Sequence, residues 1–135
     1  MVPAFEPQVF ERPVDVRWRD TDALGHVNNA VFLTYLEEGR DAFYAQVIGS
    51  EPVYVVVRIE IDLHAEVFHL DRQVLVTIAV ERLGSTSLTT REIVRTAAGE
   101  TAAEARVVTV RWDQDLRKPV PFTAAERARL AEFAG

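Results

Sequence analysis

Apolar and polar residues alternate near the start of the chain. Phe10, Val14, Val16 and Trp18 occupy even positions, with Glu11, Asp15 and Arg17 between them. A period of two predicts a strand from Gln8 to Trp18 with one buried face. Pro13 interrupts it, so the strand either starts after the proline or carries an edge or bulge there. Pro3 and Pro7 make an irregular lead-in before it. The period then changes. The row Phe32, Leu36, Gly39, Phe43, Val47 steps by three and four, one face of a helix over roughly residues 29–48. Asn28 and Asn29 are good N-cap residues for it, and Gly49 is a good C-cap. A glycine inside a helix costs about 1 kcal/mol against alanine, so Gly39 predicts a close approach of the helix to a sheet.

Four further strand patterns follow, Val53 to His64, Gln73 to Leu83, Ser87 to Thr96 and Thr101 to Trp112. In the second, Val74, Val76, Ile78 and Val80 share one side. Gly84–Ser85 and Gly99 mark short connections, which make the last three strands an antiparallel meander. Thr123 and Glu126 have capping-box spacing and open a short terminal helix. No repeat or linker interrupts the 135 residues, so a single domain over 1–135 is expected. The fold class is α+β: a five-stranded antiparallel sheet must bury its one long helix against a face. That helix is apolar over much of its surface, with Val31, Leu33 and Tyr35 beyond the main row. A sheet wrapped around it is expected, with edge and helix surface left to be covered by self-association.

Composition narrows the partners. With a hydrophobic content of 48% a sizeable core is available, and the formal net charge of −6 argues against nucleic acid or an anionic membrane surface. The absence of cysteine removes disulfides and thiolate chemistry. No signal-peptide pattern and no apolar run of about 20 residues is visible, so a cytoplasmic location is expected.

Candidate chemistry concentrates between Asp20 and Gly39, where ionisable residues gather at the mouth of the helix. A lone aspartate such as Asp22 is ordinarily a turn former. Asp20 reads as structural, bonding loop backbone or arginine. His26 orients Asp22, touches a ligand, or simply packs in the loop. Glu37 and Glu38 read as solvated charges that pair with Arg40 or near Asp41, with the alternative that one points toward a partner's site. His26, His64 and His69 lack metal-ligand spacing, so no metal is expected. No G-x-S-x-G elbow and no nucleotide-binding glycine loop is present.

The stretch VRWRDTDALGHVNNAVFLTYLEEGRDAF, Val16 to Phe43, resembles the opening of the hotdog-fold acyl-CoA thioesterases of the 4-hydroxybenzoyl-CoA thioesterase type. The likeness rests on Trp18, Asp20, Asp22, Gly25, His26, Val27, Asn28, Asn29, Leu33, Glu37 or Glu38, and Arg40. Ile61, Asp62 and Asp71 fit the second-strand region of that family. Glu81, Arg82, Gly84, Thr86 and Ser87 fit its R-x-G-x-T-S turn, and RWDQDLRKPVPF its tail. Phe32 stands where tyrosine is usual, Gly39 where alanine is usual, and Glu66 and Leu70 where proline and glycine are common. Leu24 replaces the asparagine of the related acyl-carrier-protein thioesterases.

The resemblance implies hydrolysis of an acyl-CoA thioester with no cofactor, in a homodimer or homotetramer whose sites lie at the dimer interface. It implies Asp22 as general base or nucleophile, the Asn29 N–H as donor to the oxyanion, and His26 as a supporting residue. A carboxylate can fill either role, and a helix start offers unpaired N–H groups to a developing negative charge. Phe32 and Leu36 would line the acyl pocket. Asn28 either caps the helix or meets substrate. Arg82, Ser85 and Thr86 would meet coenzyme A, with Arg58, Arg72 and Arg117 as lesser candidates for its phosphates. Two alternatives are a thioesterase acting on acyl carrier protein and a non-catalytic acyl-thioester-binding protein of the same fold. A hydratase would need a different histidine–aspartate arrangement.

Overall fold

The computed structural model describes residues 8–49 and 53–134; the lead-in with Pro3 and Pro7 lies outside the described residues. In chain order the elements are β1 (Phe10–Asp15), α1 (Val31–Ile48), β2 (Tyr54–Leu63), β3 (Gln73–Leu83), β4 (Ser87–Arg95), β5 (Thr101–Asp113), β6 (Lys118–Pro119) and α2 (Ala124–Ala131). The sheet runs β1-β3-β4-β5-β2, with antiparallel neighbours throughout. This is the expected α+β hotdog fold, including the β3–β4–β5 meander. It differs by a sixth strand: after Asp113 the chain doubles back and the two residues of β6 pair with Trp112 and Asp113. Two residues carry no periodicity to read.

Val74, Val76, Ile78 and Val80 of β3 turn inward as expected, and Phe32, Leu36, Phe43 and Val47 of α1 pack in the same buried cluster. Gly39 permits this contact. A Cβ there would lie 2.5 Å from Val76 Cγ1, well inside any normal contact. Phe43 packs edge-on against Phe10 and Phe133, each at 5.4 Å between ring centroids. Pro13 sits on β1, an edge strand paired to β3 alone, where its missing N–H has no ladder to break. Gly49 closes α1 in the left-handed conformation, φ 80°. The Thr123–Glu126 capping box opens α2: Glu126 N–H donates to Thr123 Oγ1 and Thr123 N–H to Glu126 Oε1.

Three sequence expectations change. Trp18 does not continue the buried face of β1; it is 73% exposed. The strand ends at Asp15, and a 3-10 turn over Trp18–Asp20 rotates Asp20 inward and the indole outward. Neither asparagine is the N-cap of α1, which starts at Val31 after Ala30. Asn28 closes the turn just before it, accepting the Ala30 N–H on Oδ1 at 2.9 Å. Arg40 does not pair with Glu37 or Glu38 on the surface. It is 2% exposed, beneath the helix, and grips the buried Glu92 with Nε and Nη2 at 3.0 and 2.8 Å. Thr90 Oγ1 donates to the same carboxylate at 2.6 Å. Such a pair is tolerable in a core only because each charge is met by the other and by hydrogen bonds.

Candidate functional site

The loop from Asp20 to Asn28 folds back on itself. Thr21 and Val27 form an isolated antiparallel bridge. The Asp22 N–H donates to His26 O, and the Asn28 N–H to Asp20 O, at 3.0 and 2.9 Å. Gly25 makes the reversal with φ 86°, a conformation side chains resist. The Val27 N–H donates to Val67 O, which docks the loop onto the segment that follows β2.

Asp22 is half-buried in this loop. Its Oδ1 accepts the Leu24 N–H at 2.9 Å, and its Oδ2 lies 3.5 Å from Asn28 Nδ2. Asn28 therefore both shapes the start of the helix and reaches the Asp22 carboxylate. His26 holds Nδ1 at 3.1 Å from Val27 O. A carbonyl can only accept, so Nδ1 carries the proton when the ring is neutral and Nε2 is left as an acceptor. The ring lies beside the Asp22 loop without a hydrogen bond to its carboxylate among the described residues.

Asn29 has a backbone N–H with no hydrogen-bond partner among the described residues, although its neighbours at 28, 30 and 31 are all paired. Together with His26, Phe32, Leu63, Ala65 and Glu66, Asn29 lines an open cleft of about 220 Å³. Leu63 ends β2 and Ala65 and Glu66 follow it, a contribution that sequence reasoning missed. The signal would have been a long-range pairing between Val27 and Val67, which no local period records. Leu36 lies elsewhere: it is fully buried in the core beneath α1 and does not line the cleft. Asp22 is not on the cleft wall of the single chain either; it faces Asn28 from the outer limb of the loop.

Arg82, Ser85 and Thr86 sit at the far end of β3 from the Asp22 loop. The eleven residues of that strand span roughly 35 Å at the usual rise. A β-bulge at Glu81 puts Glu81 and Arg82 on the outer face together. Arg106 takes Glu81 in a two-pronged ion pair, at 2.7 and 2.8 Å, and Arg82 is left beside Thr89 in an open groove of about 480 Å³. One chain does not bring these residues together with Asp22.

Asp20 is 1% exposed. Burial pushes its carboxyl up, but hydrogen bonds from the Arg17 backbone and side chain and from Tyr35 outweigh that and hold it below the usual carboxylate range. Tyr35, read from sequence only as an apolar position, donates its hydroxyl to Asp20 Oδ2 at 2.8 Å. Among the described residues no cluster of three His, Asp or Glu is arranged to hold a metal ion. No helix of the described residues is long and apolar enough to cross a membrane.

The model of the Thioesterase-like superfamily matches residues 16–130, from the end of β1 to the terminal helix. The chain belongs to the Thioesterase-like superfamily. Among solved structures, a predicted thioesterase from Bacillus stearothermophilus superposes with a TM-score of 0.86 at 28% identity, over 95% of this chain and 98% of its own. A thioesterase from Thermus thermophilus, complexed with coenzyme A and Zn, superposes with a TM-score of 0.78 at 36% identity, over 89% and 90% of the two chains. A 1,4-dihydroxy-2-naphthoyl-CoA thioesterase from Synechocystis shares the fold at 20% identity, with a TM-score of 0.75 over 91% and 96%. The uncharacterized protein YsmA of Bacillus subtilis is 26% identical over 125 residues, 90% of this chain and 84% of that protein.

Proposed function

We propose that this protein hydrolyses acyl-CoA thioesters to a carboxylic acid and coenzyme A, with Asp22 as the catalytic carboxylate. The reading rests above all on the unpaired Asn29 N–H, which lies at the start of α1, on the cleft wall, in the same laced loop as Asp22. A thioester carbonyl placed there would meet a fixed donor as its oxygen becomes negative. The positive end of α1 adds to that field. Asp22 either takes a proton from water, which then attacks the acyl carbon, or attacks that carbon itself to give a mixed anhydride that water opens. In both routes the C–S bond breaks, the acyl carbon gains the water oxygen, and the thiolate leaves to be protonated. Asn28 holds the Asp22 carboxylate, and the His26 ring borders the carbonyl site. Phe32, with Leu63 and Ala65, offers a fatty or an aromatic acyl group an apolar wall.

The reading includes a homodimer. β2 is an edge strand of the sheet, and the inward-turned Ile59 and Leu63 on it are 38% and 45% exposed. Pairing two such edges would cover them and set a second chain beside the cleft. Arg82, Ser85 and Thr86 would then serve coenzyme A across two chains, since one chain holds them a strand's length from Asp22.

The test is thiol release from short, long and aryl acyl-CoAs by the wild type beside Asp22→Ala and Asp22→Asn. Turnover of one class that falls by roughly a hundredfold or more in both variants is expected for loss of a base or nucleophile. Turnover unchanged in the variants rejects Asp22. A folded wild type that binds acyl-CoA and releases no thiol moves the assignment to a binding protein, and turnover of acylated carrier protein alone moves it to that substrate.

A further inference from the structure

We propose that Tyr35 and Asp20 are positioning residues for this reaction: a buried lock from the Tyr35 hydroxyl through the Asp20 carboxylate to Arg17 holds the Asp22 loop against α1. The inference rests on the functional reading above and concerns residues that reading leaves idle.

A carboxylate as buried as Asp20 must have its charge met. Three of its four donors come from Arg17, the backbone N–H at 2.8 Å, Nε at 3.1 Å and Nη2 at 2.9 Å. These close a short local turn and fix the carboxylate where α1 can reach it. The fourth is Tyr35 Oη at 2.8 Å, fifteen residues along the chain and within α1. It is therefore the polar tie between this carboxylate and the helix. The backbone of Asp20 carries the tie onward, because its carbonyl accepts the Asn28 N–H at 2.9 Å. Asn28 in turn precedes the unpaired Asn29 N–H and extends its side chain toward Asp22 Oδ2. Tyr35 thus connects to both the proposed oxyanion donor and the proposed catalytic carboxylate through Asp20 and Asn28. Its ring also packs edge-on against Phe32 on the cleft wall, 6.2 Å between centroids.

The core does not need this hydroxyl. A phenylalanine would bury the same ring, and the oxygen has Asp20 as its partner. Burial, then Asp20 itself, pushes the Tyr35 hydroxyl far above its usual range, so it remains a donor at every working pH. Tyr44, on the same helix, supplies a matched comparison: its hydroxyl is also buried and hydrogen-bonded, but to Thr109 on the sheet, away from the loop.

Tyr35→Phe and Tyr44→Phe are compared by steady-state kinetics on the best acyl-CoA, and by hydrogen exchange at the Asn28 amide. In Tyr35→Phe, kcat is expected to fall about 10–100-fold with KM within about twofold, the scale on which loosened supporting contacts act. Asn28 should exchange at least about tenfold faster. Tyr44→Phe should change neither. Equal loss of kcat in both variants, or an unchanged kcat in Tyr35→Phe, overturns the proposal. Should Tyr35→Phe fail to fold, Arg17→Ala removes two donors from the same carboxylate at an exposed position, and the same fall in kcat is required of it. If the wild type turns over no thioester, the functional reading has failed. The exchange comparison then decides the lock by itself: faster exchange at Asn28 in Tyr35→Phe alone supports it, and unchanged exchange overturns it.

Discussion

Asp20 and Asp22 are two residues apart and carry the same side chain, yet the fold treats them oppositely. Asp20 is turned inward and surrounded by donors; Asp22 stays half-buried with one oxygen near only an amide. The depressed carboxyl of Asp20 has a consequence for stability. A group whose folded pKa lies below its unfolded value stabilises the native state above that unfolded value, near 3.8 here, and loses the contribution as pH falls through the folded pKa. Asp20→Asn should therefore lower the melting temperature at pH 7, with a loss of about 1–3 kcal/mol for the buried donors left unmet. The gap to wild type should narrow below about pH 4. Melting curves from about pH 2 to 7 measure it, and a gap that stays constant over that range contradicts the charged lock. Glu126, held down against its burial by Thr123 and Arg111, preserves part of the acid limb in the variant.

Helix α1 shows how one small residue sets the spacing of an element. Alanine is a better helix former than glycine by about 1 kcal/mol, but at position 39 its Cβ would lie 2.5 Å from Val76 Cγ1 and 3.0 Å from Val76 Cβ. A β-branched side chain on a central strand cannot swing away. Overpacking of this kind costs about 1–3 kcal/mol, so Gly39→Ala should be destabilising by urea unfolding despite the gain in propensity. Val76→Ala in the same chain should restore part of the loss. A Gly39→Ala variant more stable than wild type would show that the helix can lift from the sheet. The Arg40–Glu92 pair sits one residue further along, in the same narrow layer. It fixes the rotation of α1 by a polar contact where Gly39 fixes its height.

For the whole molecule, the proposed function turns on the edge strand β2. Ile59 and Leu63 face inward on an edge strand yet stay exposed, although Tyr54 of the same strand stacks on Tyr44 of α1, so a second copy is the proposed cover. A lysine at such a contact would be buried without a partner. Ile59→Lys should shift the mass in sedimentation from two chains to one, and acyl-CoA hydrolysis should fall with it. A fully active monomer would contradict a site shared between chains.

Much of this architecture is legible from one sequence because its signals are local. Alternating valines on β3, the three-and-four row on α1, the glycine turns and the Thr123 capping box each depend on near neighbours, and they predict nearly the observed limits. Asp22, His26, Asn28 and Asn29 stand out for the same reason: they fall close together in one short stretch. Alternation misplaces Trp18 because the strand ends on a side-chain contact, Arg17 to Asp20, that breaks the period. Local charge misplaces Arg40 because its partner lies 52 residues away. The cleft wall from Leu63 to Glu66, the role of Tyr35 and the separation of Arg82 from Asp22 all depend on which segments meet across the fold. Periodicity reports which face of an element is apolar. Only the packed chain decides which polar atoms are enclosed together, because burial makes an unmet charge or hydroxyl costly and so selects its partner at long range.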